Sequence, residues 1–172
     1  MRSRGTRTFT CAAVLMVIAG LTGCSGGGSD EPEATPTPTE ATAEDLAIAT
    51  VQEYWDERVR VESSADYASA DFEGILDPAL LEGVNARYSS YADGGFRREG
   101  EPELRDFEAT VDGSTALVTV CVNEGGWTAV ADIENVEQPA DEFYAIGYPL
   151  KQAGDDWIIT TEGQNPPEGV SC

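Results

Sequence analysis

The period of the hydrophobic pattern changes once along this chain, at Gly94-Gly95, and that change limits the folds open to it. Upstream, apolar residues recur at helical spacing. Ile48, Val51, Trp55 and Val59 lie three, four and four residues apart, one face of a helix. Thr42-Ala43-Glu44-Asp45 has the form of a capping box, a threonine with an acid three residues on, and predicts a helix to about Glu62. Ser64 to Phe72 reads as a short helix or turn. Asp77-Pro78 starts a second helix, with Asp as cap and Pro at the first helical position. Leu81, Val84, Tyr88 and Tyr91 form its stripe, and Asp93-Gly94-Gly95 ends it.

Downstream the pattern alternates. Phe107, Ala109 and Val111 share one face, and Asp112-Gly113 signals a hairpin. Thr115 to Val122 puts Ala116, Val118, Val120 and Val122 on one side and Leu117, Thr119 and Cys121 on the other. Both sides are largely apolar, so this strand is expected to be central and covered on both faces. Glu124-Gly125-Gly126 turns into a strand from Trp127 to Ile133, followed by a polar loop with Pro139. Phe143 to Lys151 and Trp157 to Glu162 form a last hairpin around Gly154-Asp155-Asp156, and Gly163 to Cys172 is a coil tail. Helices first and antiparallel strands after define an α+β domain, with N-terminal helices on one face of one curved, mainly antiparallel sheet.

Charge removes several functions. The chain holds 10 Lys+Arg against 32 Asp+Glu, a formal charge of -22. Phosphate contact needs a basic surface, so nucleic acid is not an expected partner. There is no histidine, which excludes Ser-His-Asp and Cys-His catalysis and imidazole metal sites. The acidity is that of a solvated surface that keeps a domain soluble.

The N-terminus reads as an address. Arg2, Arg4 and Arg7 precede an apolar run from Cys11 to Gly23, 13 residues, too short to span a bilayer and the length of a signal-peptide core. Leu21-Thr22-Gly23-Cys24 resembles the lipobox of bacterial lipoproteins. The resemblance implies cleavage before Cys24 and a thioether-linked diacylglycerol on its sulfur, a membrane anchor of two or more acyl chains. Residues 1–23 are then a lipoprotein signal peptide. Residues 24–44 are the lipidated cysteine and a Ser/Gly/Thr/Pro/Glu tether with no large apolar residue, expected to be disordered. Residues 45–172 are one α+β domain. Loss of the leader leaves 7 basic against 32 acidic residues.

Over roughly Asp45 to Glu162 the order of elements resembles the cone-shaped nuclear-transport-factor-like superfamily, which includes ketosteroid isomerase and scytalone dehydratase. The residues that carry it are Tyr54-Trp55 in the first helix, Asp77-Pro78, the Asp112-Gly113-Ser114-Thr115-Ala116-Leu117-Val118 hairpin strand and Gly154-Asp155-Asp156-Trp157. The whole chain is similar to actinobacterial lipoproteins that hang such a domain from a Thr/Pro-rich tether. The resemblance implies a cavity between helices and sheet, used for small apolar ligands, catalysis or dimer contacts. Catalytic roles do not carry over: the dehydratase type uses histidines, and no single acid here matches an isomerase base.

Cys121 and Cys172 remain after lipidation, in an oxidising compartment. A disulfide would pin the tail; the alternative is two free thiols, one a buried core residue. Tyr54, Trp55, Tyr88, Tyr91, Trp127 and Tyr148 are the candidate pocket lining, against the plainer reading of ordinary core. Arg97-Arg98, the one basic pair, is expected to neutralise Glu99, Glu101 or Glu103. No acidic run has the ligand spacing of a calcium loop, so no metal and no cofactor are expected. The expected function is that of a membrane-anchored extracytoplasmic lipoprotein, not an enzyme, binding a small apolar ligand or an envelope protein. The alternatives are an isomerase- or dehydratase-like enzyme using a buried carboxylate and a tyrosine, and a structural accessory of an envelope complex.

Overall fold

The computed structural model describes residues 40–132 and 137–172. The signal peptide, Cys24 and the tether up to residue 39 lie outside the described residues, as does Ile133, the expected end of one strand.

Helix α1 spans Ala43–Ser64. The Thr42 hydroxyl accepts from the Asp45 backbone N–H at 3.2 Å, and the Asp45 carboxylate accepts from the Thr42 N–H at 2.9 Å. This is the capping box read in the sequence, and it starts the helix two residues before the expected domain boundary. A single 3-10 turn, Tyr67–Ser69, stands where a short helix or turn was expected. Helix α2 spans Pro78–Asp93, with the Asp77 carboxylate accepting from the Ala79 N–H at 3.0 Å.

The strands are β1 (Arg97–Gly100), β2 (Glu103–Asp112), β3 (Thr115–Asn123), β4 (Trp127–Val130), β5 (Tyr144–Ala153) and β6 (Asp156–Ile159). They divide into an antiparallel sheet of order β2-β3-β5-β6 and a ribbon of β1 with β4. The domain is thus α+β, two N-terminal helices on a four-stranded antiparallel sheet with an added ribbon. Strand β1 had no period to announce it, because Arg97-Arg98-Glu99-Gly100 holds three charged residues and a glycine and no hydrophobe. Gly100 has φ +85°, and a Cβ there would lie 2.1 Å from the Gly126 carbonyl oxygen, so only glycine closes this ribbon.

Strand β3 is central, as its two apolar faces required. Val118, Val120 and Val122 are fully buried, packed in the core with Val51, Trp55, Val84, Tyr148, Leu150 and Ile159. Burial of one such aliphatic side chain is worth about 1.5–3 kcal/mol. The opposite face is covered by the C-terminal tail. Gly147 and Gln164 exchange two backbone hydrogen bonds of 2.9 Å, and Pro166 lies against Gly147 beside Leu117. The tail ends in a disulfide between Cys172 and Cys121, with Cα atoms 5.7 Å apart. It closes a sequence separation of 51 residues, which stabilises by about 4 kcal/mol in the chain-entropy account.

Candidate functional site

The six aromatic residues expected to line a pocket fall into two groups. Trp55, Tyr88 and Trp127 are core: the two indoles have no exposed surface, their ring centroids are 6.3 Å apart, and Tyr88 packs between Phe72 and Tyr67. Tyr54, Tyr91 and Tyr148 do line a cleft. It lies between α1, α2, β5 and the start of the tail, has a volume of about 210 Å3, and is completed by Arg58, Glu62, Arg87, Ile146, Glu162 and Gly163. Its lining is polar, not apolar.

Behind the cleft stands a network of charge that the sequence reading missed. Glu62, 2% exposed, receives the Arg58 Nε at 3.1 Å, the Arg98 Nε at an ion-pair distance of 3.1 Å, and the Tyr88 hydroxyl at 3.3 Å. The Arg98 N–H is not aimed for a hydrogen bond, so that contact is electrostatic. Both guanidiniums stack on Trp127, Arg98 at 4.4 Å and Arg58 at 5.0 Å from the ring, and Arg58 also covers Trp55 at 4.7 Å. Glu124 joins from the end of β3, 3.3 Å from Arg58 Nη2, and accepts the Tyr144 hydroxyl at 2.8 Å. Burial works against the Arg58 charge, but Glu62, Tyr54 and Glu124 outweigh it and hold its pKa above the ordinary guanidinium value.

This corrects the expectation for the basic pair. Arg97 does turn outward to Glu99 at 2.7 Å, but Arg98 turns inward to Glu62 and Glu124. Strand alternation sends adjacent residues to opposite faces, so one arginine of the pair had to face the core. A second signal was available on α1. The apolar stripe of Val51 and Trp55 continues to positions 58 and 62, where an arginine and a glutamate stand in place of hydrophobes.

At the mouth of the cleft Arg87 grips Glu162 with two bonds of 2.6 and 2.5 Å, and the Tyr54 hydroxyl donates to the same carboxylate at 3.3 Å. The Arg87 hydrogen bonds hold the Glu162 carboxyl below its usual range, although burial opposes them. Desolvation pushes the Tyr54 phenol up to about 12 and raises that of Tyr148 as well. These phenols therefore keep their protons at any physiological pH.

The two carboxylates of the cleft are thus committed, while several donors are not. The Tyr148 hydroxyl, on a residue 2% exposed, gives its proton to no acceptor among the described residues, and neither does Tyr91. The Arg58 Nη1 group has no acceptor there either, since Nε and Nη2 carry the bonds to Glu62 and Glu124. A larger groove of about 330 Å3 lies by Leu46, Glu53, Glu73, Asp155 and Trp157, but its polar walls are surface carboxylates with no buried group left over. Among the described residues no three metal-ligating side chains stand together, and no helix is long and apolar enough to cross a membrane.

No family model and no curated protein matches the chain. Among solved structures, the intermembrane space region of the chloroplast protein ARC6 is similar over 70% of this chain and 95% of its own, at 14% identity and a TM-score of 0.44. A de novo β-sheet design is similar over 69% of this chain and 95% of its own, at 18% identity and a TM-score of 0.31. These are distant likenesses of fold. The disulfide points to an oxidising, extracytoplasmic compartment.

Proposed function

We propose that the chain is an extracytoplasmic binding domain, anchored through lipid on Cys24, that holds a small molecule in the tyrosine-lined cleft and performs no chemistry on it. The observation that carries this reading is the set of donors on the cleft wall that have no acceptor among the described residues, the Tyr148 and Tyr91 hydroxyls and Arg58 Nη1. A donor that faces a cleft with no protein acceptor is free to bond a ligand there, and a few such convergent polar groups are what orient a small molecule in a pocket. The lipobox at Leu21 to Cys24 and the disulfide support the location. The helix-then-sheet order supports a nuclear-transport-factor-like cone.

The cleft's chemistry favours binding over catalysis. An isomerase- or dehydratase-like enzyme needs a carboxylate free to take a proton. Glu62 is held by two arginines and a tyrosine, and Glu162 by Arg87 and Tyr54. It also favours a ligand with a polar head over a wholly apolar one, because the rings suited to an apolar cavity pack against one another instead.

Native mass spectrometry of the protein extracted gently from its own membrane tests the reading. The expected result is a small-molecule adduct lost on denaturation, on a chain carrying acyl mass at Cys24. A bare polypeptide mass in every charge state would refute small-molecule binding and leave a docking or structural role.

A further inference from the structure

The proposed cleft also limits what kind of molecule it can hold, an inference that rests on the binding reading above. Arg58 Nη1 can only donate and is uncommitted among the described residues, while the carboxylates of the cleft are already engaged. Arg58 Nη1 and the hydroxyls of Tyr148 and Tyr91 are without acceptors among the described residues. Every carboxylate in the lining already receives guanidinium or phenol hydrogens. The lining is also balanced in charge, with Arg58 and Arg87 against Glu62 and Glu162. A ligand's donors would therefore meet only tyrosine oxygens and carboxylates that already serve guanidiniums, and a ligand's net charge would find nothing to neutralise it.

We infer that the cleft takes a small neutral molecule presenting an oxygen acceptor, such as an amide, ester or ketone, with that oxygen held by Tyr148 and Arg58. A cation is disfavoured because Glu62 and Glu162 already neutralise the two guanidiniums that stand in the walls. An anion would meet the Arg58 donors, but it would unbalance the cleft inside a chain of formal charge -22. Tyr148 remains a protonated phenol, suited to donate, since burial raises its pKa. The apolar part of the ligand would lie along Ile146 and the tyrosine rings, in a space of about 210 Å3.

The test is calorimetric titration of the full chain with four one-ring probes that differ in one group: N,N-dimethylbenzamide, benzoate, benzylamine and ethylbenzene. The first offers a neutral acceptor, the second a charged acceptor, the third donors only, the fourth no polar group. The expected result is that the amide binds most tightly and that Tyr148→Phe weakens it about fivefold, the share of one net hydrogen bond, while ethylbenzene is unaffected by the substitution. The Tyr148 hydroxyl donates no bond among the described residues, but its oxygen faces the Trp55 indole N–H, so a parent-like melting curve is the check that this variant folds. Tightest binding by benzylamine or ethylbenzene would overturn the acceptor inference and leave the cleft as a binding site. Tightest binding by benzoate would overturn its neutrality. An amide affinity unchanged by Tyr148→Phe would overturn the assignment of the donor. Failure of all four probes to bind would overturn this inference, while the binding reading is decided separately by the native mass of the extracted protein.

Discussion

Replacing Glu62 by glutamine keeps the side chain's shape and removes its charge from between Arg58 and Arg98. Glu62 is 2% exposed, and the two guanidiniums are 19% and 14% exposed, so water can do little to replace the lost carboxylate. Breaking a buried ion pair from one side costs about 3–5 kcal/mol. Arg58 keeps Glu124 at 3.3 Å, and Arg98 keeps it only at 3.9 Å. That remaining compensation puts Glu62→Gln at the lower end, about 3 kcal/mol. With a urea slope of about 1.5 kcal/mol/M, the midpoint should fall by about 2 M. Emission from Trp55 and Trp127, both in contact with Arg58, reports the transition directly. Adding Arg98→Met should restore part of the loss, because it removes the uncompensated charge and keeps a flexible apolar group on Trp127. The double variant is then less destabilised than the sum of the singles. A midpoint within about 0.5 M of the parent for Glu62→Gln, or strict additivity in the cycle, would refute the network as described.

Cys172→Ser should lower stability by up to about 4 kcal/mol under oxidising conditions and speed amide exchange at Gly147 and Gln164; equal urea midpoints would count against a pinned tail. For Glu162 the folded pKa is depressed, so its stabilising contribution is full above the unfolded value of about 4.3 and is lost as pH falls through the folded value. The stability gap between the parent and Glu162→Gln should thus be constant near neutrality and shrink below about pH 4; a gap that widened on acidification would contradict the Arg87 pairing. At Gly163 a Cβ would lie 2.3 Å from Ile146 Cγ2 and 3.3 Å from the Tyr148 hydroxyl, so Gly163→Ala should cost about 1–3 kcal/mol by overpacking, read as a lowered melting temperature.

The fold was legible where one local rule governed, and the site was not because several rules met there. Thr42 and Asp45 specify a helix start by themselves, and so do Asp77 and Pro78. The two apolar faces of β3 demanded a cover on each side, and the tail supplies the second one, tied down by Cys172. The cleft depends instead on residues whose meaning changes with tertiary context. Arg58, Glu62, Arg98 and Glu124 would each be placed on a surface by composition alone, and only the crossing of α1 over the β1–β4 ribbon brings them together. The sequence did contain a conflict that marked the place. A helix stripe that runs Val51, Trp55 and then reaches Arg58 and Glu62 puts charge where the core must be, and such a chain folds only if another element brings the opposite charge. Arg98 is that element's contribution, and an arginine pair in a strand of alternating faces is where to look for it. Local conflicts of this kind concentrate where a protein gives up packing for chemistry or recognition. That is why the cleft in front of Glu62, and not the larger acidic groove beside Leu46, is the place to look for a ligand.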